Sequence, residues 1–254
     1  MSTVRELFLE GQSLLENVPD PYLEAKLLTL KAAGIPEAVF YSYPEKEISR
    51  SQREKFLRLV SRRKAGSPLA YVLGEKEFWS MRFKVVPGVL IPRPETELLV
   101  EKTVELSSKK KEHILEIGTG AGNIAVSLAK ELPRAEILAT DISQKALNLA
   151  KENAGLHKIS TITFVRGSLF EPLKKLRLHK KCDFIVSNPP YVSEGEWKFL
   201  QDDIRNHEPK EALVAGESGL EFIRELIKGA PEFLRPGGYL CLEIGYGRKQ
   251  KVIS

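Results

Sequence analysis

From about residue 97 onward the chain alternates helical and β-type hydrophobic patterning, and no other feature narrows the possible folds as far. Strands are expected at His113–Ile117, Glu136–Thr140, Thr161–Val165, Asp183–Ser187 and Tyr239–Ile244. Helices are expected between them, notably at Asn123–Leu132, Ser143–Ala154 and Gly219–Gly229. Alternation of this kind calls for an α/β fold with a parallel sheet covered on both faces. In such a sheet ligands bind beyond the carboxyl ends of the strands, where strand order reverses. The loops that follow the strands therefore carry the functional information.

The first such loop is Glu116-Ile117-Gly118-Thr119-Gly120-Ala121-Gly122-Asn123, which leaves a strand and opens a helix. Glycines there let the backbone turn sharply and approach a ligand closely, with helix N–H groups behind. A dinucleotide fingerprint would place its third glycine at position 123, where this chain has Asn123. That disfavours a dehydrogenase; the G-x-G-x-G spacing is the form used by S-adenosylmethionine enzymes. Asp141, at the end of the second strand, stands where an acid reaches a ribose hydroxyl pair, and it can also cap the helix beginning at Ser143. Gly167-Ser168-Leu169-Phe170, after the third strand, offers a polar group and an apolar wall for an adenine ring.

The fourth strand runs through Cys182-Asp183-Phe184-Ile185-Val186-Ser187 into Asn188-Pro189-Pro190-Tyr191. Pro189 and Pro190 lack backbone N–H groups, so the ladder stops and the chain leaves in a stiff, extended turn. That turn offers acceptors without competing donors: the Asn188 side-chain carbonyl and backbone C=O groups, beside the flat face of Tyr191. It is a seat for a planar amide or amine. If the first and fourth strands are neighbours, Gly118–Gly122 and Asn188–Tyr191 open into one crevice.

Residues 1–75 read as a small helical domain, with Asp20-Pro21 opening one helix that Gly34 closes, and Ser51-Gln52-Arg53-Glu54 patterned as a capping box for another. That last helix is basic, with Arg50, Arg53, Lys55, Arg58, Arg62, Arg63 and Lys64, which reads either as a solvated face or as a dock for an acidic partner. Residues 76–96 read as a β-hairpin linker ending in Ile91-Pro92-Arg93-Pro94-Glu95-Thr96-Glu97, where Thr96 or Glu95 starts the next helix. Residues 97–254 form the α/β domain. The 254-residue length accommodates both domains. With 42% apolar and 29% charged residues, the composition is that of a globular protein. No apolar run reaches membrane-spanning length, and the first residues have neither the basic nor the apolar segment of a signal peptide, so a cytoplasmic location is expected. Cys182 and Cys241 fall in strands and read as reduced core thiols, and four scattered histidines give no metal-ligand spacing, so no metal is expected. The net charge of +5 suits an acidic partner weakly.

Taken together these residues resemble the HemK/PrmC-type protein-glutamine N5-methyltransferases, which modify peptide chain release factors. The resemblance spans nearly the whole chain. It includes Gly66-Ser67-Pro68-Leu69-Ala70-Tyr71-Val72-Leu73-Gly74, Ile91–Glu97, Gly118–Gly122, Asn188–Tyr191 and Glu208-Pro209-Lys210-Glu211-Ala212-Leu213. It implies a Rossmann-like methyltransferase sheet with an N-terminal helical substrate-docking domain. It further implies that Gly118, Thr119, Gly120, Ala121, Gly122 and Asp141 contact S-adenosylmethionine, with Leu169 beside its adenine and Glu116, Ser168 and Phe170 close by. Asn188, Pro189, Pro190 and Tyr191 would hold a glutamine side chain from a Gly-Gly-Gln loop, with Asn188 also touching the cofactor. Arg93, Glu95 and Thr96 would lie near the cofactor, and the helical domain would grip the release factor. Relatives in this family continue through a further helix and two strands, so a chain ending at Ser254 is expected to lack C-terminal strands.

The chemistry implied is direct displacement, in which Asn188 and the Pro189 carbonyl accept the two hydrogens of the amide and fix its approach. No strong base is required before transfer. The enzyme is expected to act as a monomer on a protein substrate, with nucleic acid neither required nor excluded. One rival is a methyltransferase acting on exocyclic amines of adenine or guanine in DNA or RNA, since Asn-Pro-Pro-Tyr serves that chemistry too; another is a non-catalytic binding module with the same fold.

Overall fold

The computed structural model describes residues 2–176 and 179–253. Ser254, where the expected chain end falls, lies outside the described residues. The chain divides into two compact units, residues 1–74 with 202–207, and residues 75–201 with 208–254.

The first unit is helical. It contains α1 (Val4–Leu14), α2 (Pro21–Ala33), α3 (Glu37–Ser42), α4 (Arg50–Lys64) and α5 (Leu69–Leu73), with a two-residue pair of β1 (Ser2–Thr3) and β2 (Glu47–Ile48). The local signals explain the boundaries. Asp20 accepts a hydrogen bond from the Leu23 amide at 2.9 Å, Pro21 occupies the first turn where no donor is needed, and Gly34 closes α2 at φ 64°. The capping box of α4 sits two residues earlier than the sequence suggests: Ser49 pairs reciprocally with Gln52, and Ser51 and Glu54 lie inside the helix. Val4, Leu7, Leu28, Phe56, Val60 and Val72 fill the core. Burying a side chain such as Phe56, wholly inaccessible here, contributes about 2–3 kcal/mol.

Much of the basic character of α4 is spent inside this unit. Arg63 is buried and gives two hydrogen bonds to Glu24, at 2.5 and 3.0 Å. Arg53 pairs with Glu10, Arg50 with Glu54, and Arg62 donates to the Tyr71 carbonyl. A buried pair with both carboxylate oxygens satisfied costs little only while it stays intact.

The second unit is built on a five-stranded parallel sheet of β5 (His113–Ile117), β6 (Glu136–Asp141), β7 (Ile162–Arg166), β8 (Cys182–Ser187) and β9 (Leu234–Leu242), in the order β7-β6-β5-β8-β9. Strand order therefore reverses between β5 and β8. Preceding it are the hairpin β3 (Glu75–Phe78) and β4 (Met81–Lys84) and α6 (Glu97–Leu106). Between the strands run α7 (Asn123–Glu131), α8 (Gln144–Leu156), α9 (Glu171–Leu176), α10 (Glu194–Trp197) and α12 (Glu221–Phe233); α11 (Asp202–His207) belongs to the first unit and α13 (Lys249–Ile253) ends the described chain. Alternate strand residues feed opposite faces: Ile114, Ile137, Ala139, Phe184 and Val186 join one cluster, while Leu115, Ile117 and Ile185 join the other.

Two elements differ from expectation. The hairpin is shorter than the linker read from sequence, and its Phe78, Met81 and Phe83 are buried among the residues of the first cluster, with no strand at Val89–Ile91. The last strand begins five residues early, because Arg235–Gly238 continues the β9 backbone through an irregularity opposite Cys182 and Phe184. Cys182 and Cys241 are free thiols, the first buried and with its pKa pushed up to about 11 by that burial.

Candidate active site

Everything expected to carry chemistry at the strand ends depends on β5 and β8 being neighbours, and they are, with Ile114 beside Phe184 and Glu116 beside Val186. The Ser187 hydroxyl donates to the Ile117 carbonyl at 2.7 Å, tying the two strand ends together where their loops diverge. From β5 the chain enters the glycine loop. Gly118 and Gly120 sit at φ 76° and 54°. A Cβ on either would meet only open space, so it is the backbone conformation that requires glycine there. Gly122 serves another purpose as well. A Cβ there would come within 2.8 Å of the Ala150 methyl, so this glycine lets α7 pass close to α8.

Three carboxylates organise the loops. Asp141 accepts from the Gly120 amide at 2.9 Å through one oxygen and from the Ser143 amide at 2.8 Å through the other, so the loop contact and the helix-capping contact coexist. Burial raises its pKa despite those donors. Glu116 is completely buried. One of its oxygens accepts from the Thr119 hydroxyl at 2.6 Å, while the other has no hydrogen-bond partner, and burial pushes its pKa up to about 8. Glu208 accepts from the Ile91 amide at 3.1 Å and from Arg93 at 2.6 Å, pinning the proline-rich stretch that precedes Thr96.

Thr96 does not cap the next helix. The 3₁₀ turn Pro94–Thr96 runs directly into α6, and the buried Thr96 hydroxyl turns away from it, donating to Glu243 at 2.6 Å and accepting from the Asn188 side-chain NH₂ at 3.0 Å. Burial raises the pKa of Glu243.

A small cavity of about 30 Å³ is lined by Ile91, Pro92, Arg93 and Thr96, by Gly118, Thr119, Gly120 and Ala121, and by Asn188. The glycine loop and the start of the proline turn thus face one space, as do Arg93 and Thr96. Asp141 meets that space through its bond to Gly120. Tyr191 lies just downstream, where its amide and that of Val192 both donate to the Leu213 carbonyl and burial raises the phenol pKa. Glu95 is exposed. The segment after β7 stands apart from the cavity: Ser168 is exposed, Leu169 leans on the second core cluster, and the Phe170 ring is taken up by the core, stacked on Phe233 at 5.1 Å. A larger open cleft bounded by Ser193, Glu196, Ser218, Arg224 and Arg248 holds none of the expected site residues.

Residues 94–207 match the methyltransferase small domain and residues 6–74 the PrmC N-terminal domain. The release factor glutamine methyltransferase of Coxiella burnetii is 41% identical over 245 residues, 96% of this chain and 86% of that one. The chain belongs to the release factor glutamine methyltransferase family. The family members from Vibrio cholerae and Geobacter sulfurreducens are 42% and 38% identical, over 89% and 99% of this chain and 78% and 87% of theirs. The α/β methyltransferase fold and the small N-terminal helical region expected from sequence are those of this family.

Glu243 is not among the residues singled out from the sequence, and Glu208 enters there only as part of the stretch that carries the resemblance. A signal for the first is present: Leu242-Glu243-Ile244-Gly245 repeats the Leu115-Glu116-Ile117-Gly118 pattern at the end of another strand. Glu208 opens the Glu-Pro-Lys-Glu stretch, where nothing local distinguishes a buried anchor from a solvated acid.

Proposed function

We propose that this chain methylates the side-chain amide nitrogen of the glutamine in the Gly-Gly-Gln loop of peptide chain release factors, using S-adenosylmethionine. The observation that carries the reading is the shared cavity, in which Asn188 and the Gly118–Ala121 backbone line one space. Family membership supplies the substrate class, since the relatives are named for acting on release factor glutamine.

The residues present fit the cofactor. Gly118 and Gly120 leave open space where side chains would stand, and Glu116 keeps a buried acceptor oxygen without a donor, an acceptor that a cationic or N–H-bearing group satisfies. Gly118, Thr119, Gly120, Ala121, Gly122 and Asp141 would hold the nucleoside and amino-acid parts, with Arg93 and Thr96 at the opposite wall. When bound, S-adenosylmethionine supplies an electrophilic methyl group on sulfur.

Asn188 and the Pro189 carbonyl accept the two hydrogens of the substrate amide, which draws the nitrogen lone pair out of conjugation and aims it. Pro190 stiffens the turn, and Tyr191 walls the amide. Once the nitrogen carried a methyl group its surplus proton would leave for water, so no buried base of this chain has to hold it. The N-terminal helical unit docks the release factor, and a protein with these partners works in the cytoplasm; among the described residues no helix is long and apolar enough to cross a membrane.

Incubating the protein with S-adenosylmethionine and a release factor, followed by mass spectrometry of the loop peptide, tests this directly. One added methyl on the loop glutamine is expected. Labelling of DNA or RNA with no change in the release factor would replace the proposal with the nucleic-acid reading.

A further inference from the structure

Asparagine presents a carbonyl on one side and an NH₂ on the other, and only one orientation can serve a substrate amide as proposed above. In the wrong orientation Asn188 would offer donors to a group that itself needs acceptors. The polarity of its surroundings decides which way it points.

Glu243 follows β9, and its amide donates to the Ser187 carbonyl at 3.0 Å, which sets it immediately beside Asn188. An ionised carboxylate only accepts, so the Thr96 hydroxyl, 2.6 Å away, must give its single proton to Glu243. With that proton committed, Thr96 has only lone pairs for Asn188, and the Asn188 NH₂ donates to it at 3.0 Å. A flipped Asn188 would set its carbonyl oxygen against the Thr96 oxygen with no hydrogen between them. Thr96 is buried, so water cannot relieve that clash of acceptors.

We propose that Glu243 and Thr96 are positioning residues that lock the Asn188 amide with its carbonyl toward the substrate, acting as a one-way hydrogen-bond relay. The inference rests on the glutamine-methylating reading of the site. Neither residue touches the reacting atoms; both act through Asn188. The relay has a direction only while Glu243 is ionised, because a protonated Glu243 donates to Thr96 and frees the threonine proton for the Asn188 oxygen. Burial raises the Glu243 pKa, the Thr96 hydroxyl lowers it, Glu95 raises it further, and the Asn188 NH₂ and Arg93 lower it; Tyr191 is the other titratable group facing it. Activity therefore falls as pH drops through a value above the ordinary carboxylate range.

The test compares wild type with Thr96→Val, Thr96→Ser and Glu243→Gln, using a release factor substrate and S-adenosylmethionine. Thr96→Val is expected to lower kcat at least tenfold, with the release factor KM within about threefold of wild type. Thr96→Ser should recover most of that loss. Glu243→Gln should erase the acidic limb of the kcat profile that wild type shows. Without substrate or cofactor, the Asn188 side-chain NH₂ resonances of wild type should shift with pH through the Glu243 titration and stay fixed in Glu243→Gln. Unchanged kcat in Thr96→Val, or Asn188 resonances indifferent to pH in wild type, would overturn the relay. A wild-type protein that leaves glutamine unmethylated while its Asn188 resonances follow Glu243 would instead remove the functional reading and leave the relay standing.

Discussion

Two buried glutamates set the two units of this protein apart. Glu24 in the helical unit is closed upon itself, both oxygens taken by Arg63. Glu116 in the sheet unit is buried more deeply, yet one oxygen is without a partner and its pKa is pushed up to about 8. Burying a charge is tolerable when the fold supplies its partner, and costly when it does not. The first arrangement is what a scaffold needs. The second suits a site whose partner arrives as a ligand, and it occurs beside the glycine loop that borders the cavity.

Breaking the closed pair should have the largest effect. Glu24→Ala leaves the Arg63 guanidinium buried without its carboxylate and is expected to destabilise the helical unit by about 3–5 kcal/mol, read by urea denaturation. Loss below about 1 kcal/mol would mean that the pair is not a structural anchor. At the cavity, Asn188→Ala should lower kcat by about 10²–10³-fold with cofactor affinity largely kept, measured by transfer assay and calorimetry, because one preorganised acceptor is removed while the glycine loop is untouched. Near-normal turnover would deny Asn188 its role.

The glycines sharpen the contrast within the loop. A side chain at Gly122 meets both a left-handed φ of 81° and the Ala150 methyl. Gly122→Ala should therefore cost about 2 kcal/mol or more in thermal or urea unfolding. Gly118→Ala, with open space in front of it, should cost about 1 kcal/mol and chiefly weaken cofactor binding. Equal costs would show that the α7–α8 approach is looser than the distances imply.

Glu116 gives the subtlest signal, a slope. Its folded pKa lies above the ordinary carboxylate value, so the folded state holds the proton more tightly, and its contribution to stability is present at low pH and lost as pH rises toward about 8. Glu116→Gln should remove up to about 1 kcal/mol per pH unit of that decline between about pH 5 and pH 8, while weakening S-adenosylmethionine binding. A variant that is less stable than wild type at pH 8 would show that the open oxygen is satisfied after all.

Local rules make much of this molecule legible. Helix α2 is readable because Asp20, Pro21 and Gly34 each act within a turn of themselves, and the parallel sheet is readable because strands covered on both faces leave a pattern of apolar runs between helices. Asn123 at the third-glycine position and the two prolines after Asn188 are informative because they forbid alternatives. Phe170 is less transparent. An aromatic after a strand can line a crevice or enter the core, and only the stacking partner Phe233, on a helix far along the chain, decides. The same holds for Thr96, which reads as a helix cap until Glu243, 147 residues later, accepts its hydrogen bond.

A crystal structure with S-adenosylhomocysteine bound would test most directly whether the open carboxylate and the proline turn serve one ligand. The account predicts the nucleoside against Gly118–Ala121 and Asp141, the amino group meeting Glu116, and the sulfur facing the Asn188 carbonyl. A nucleoside lodged elsewhere, or a sulfur turned away from Asn188 with the Glu116 oxygen still unpartnered, would contradict it.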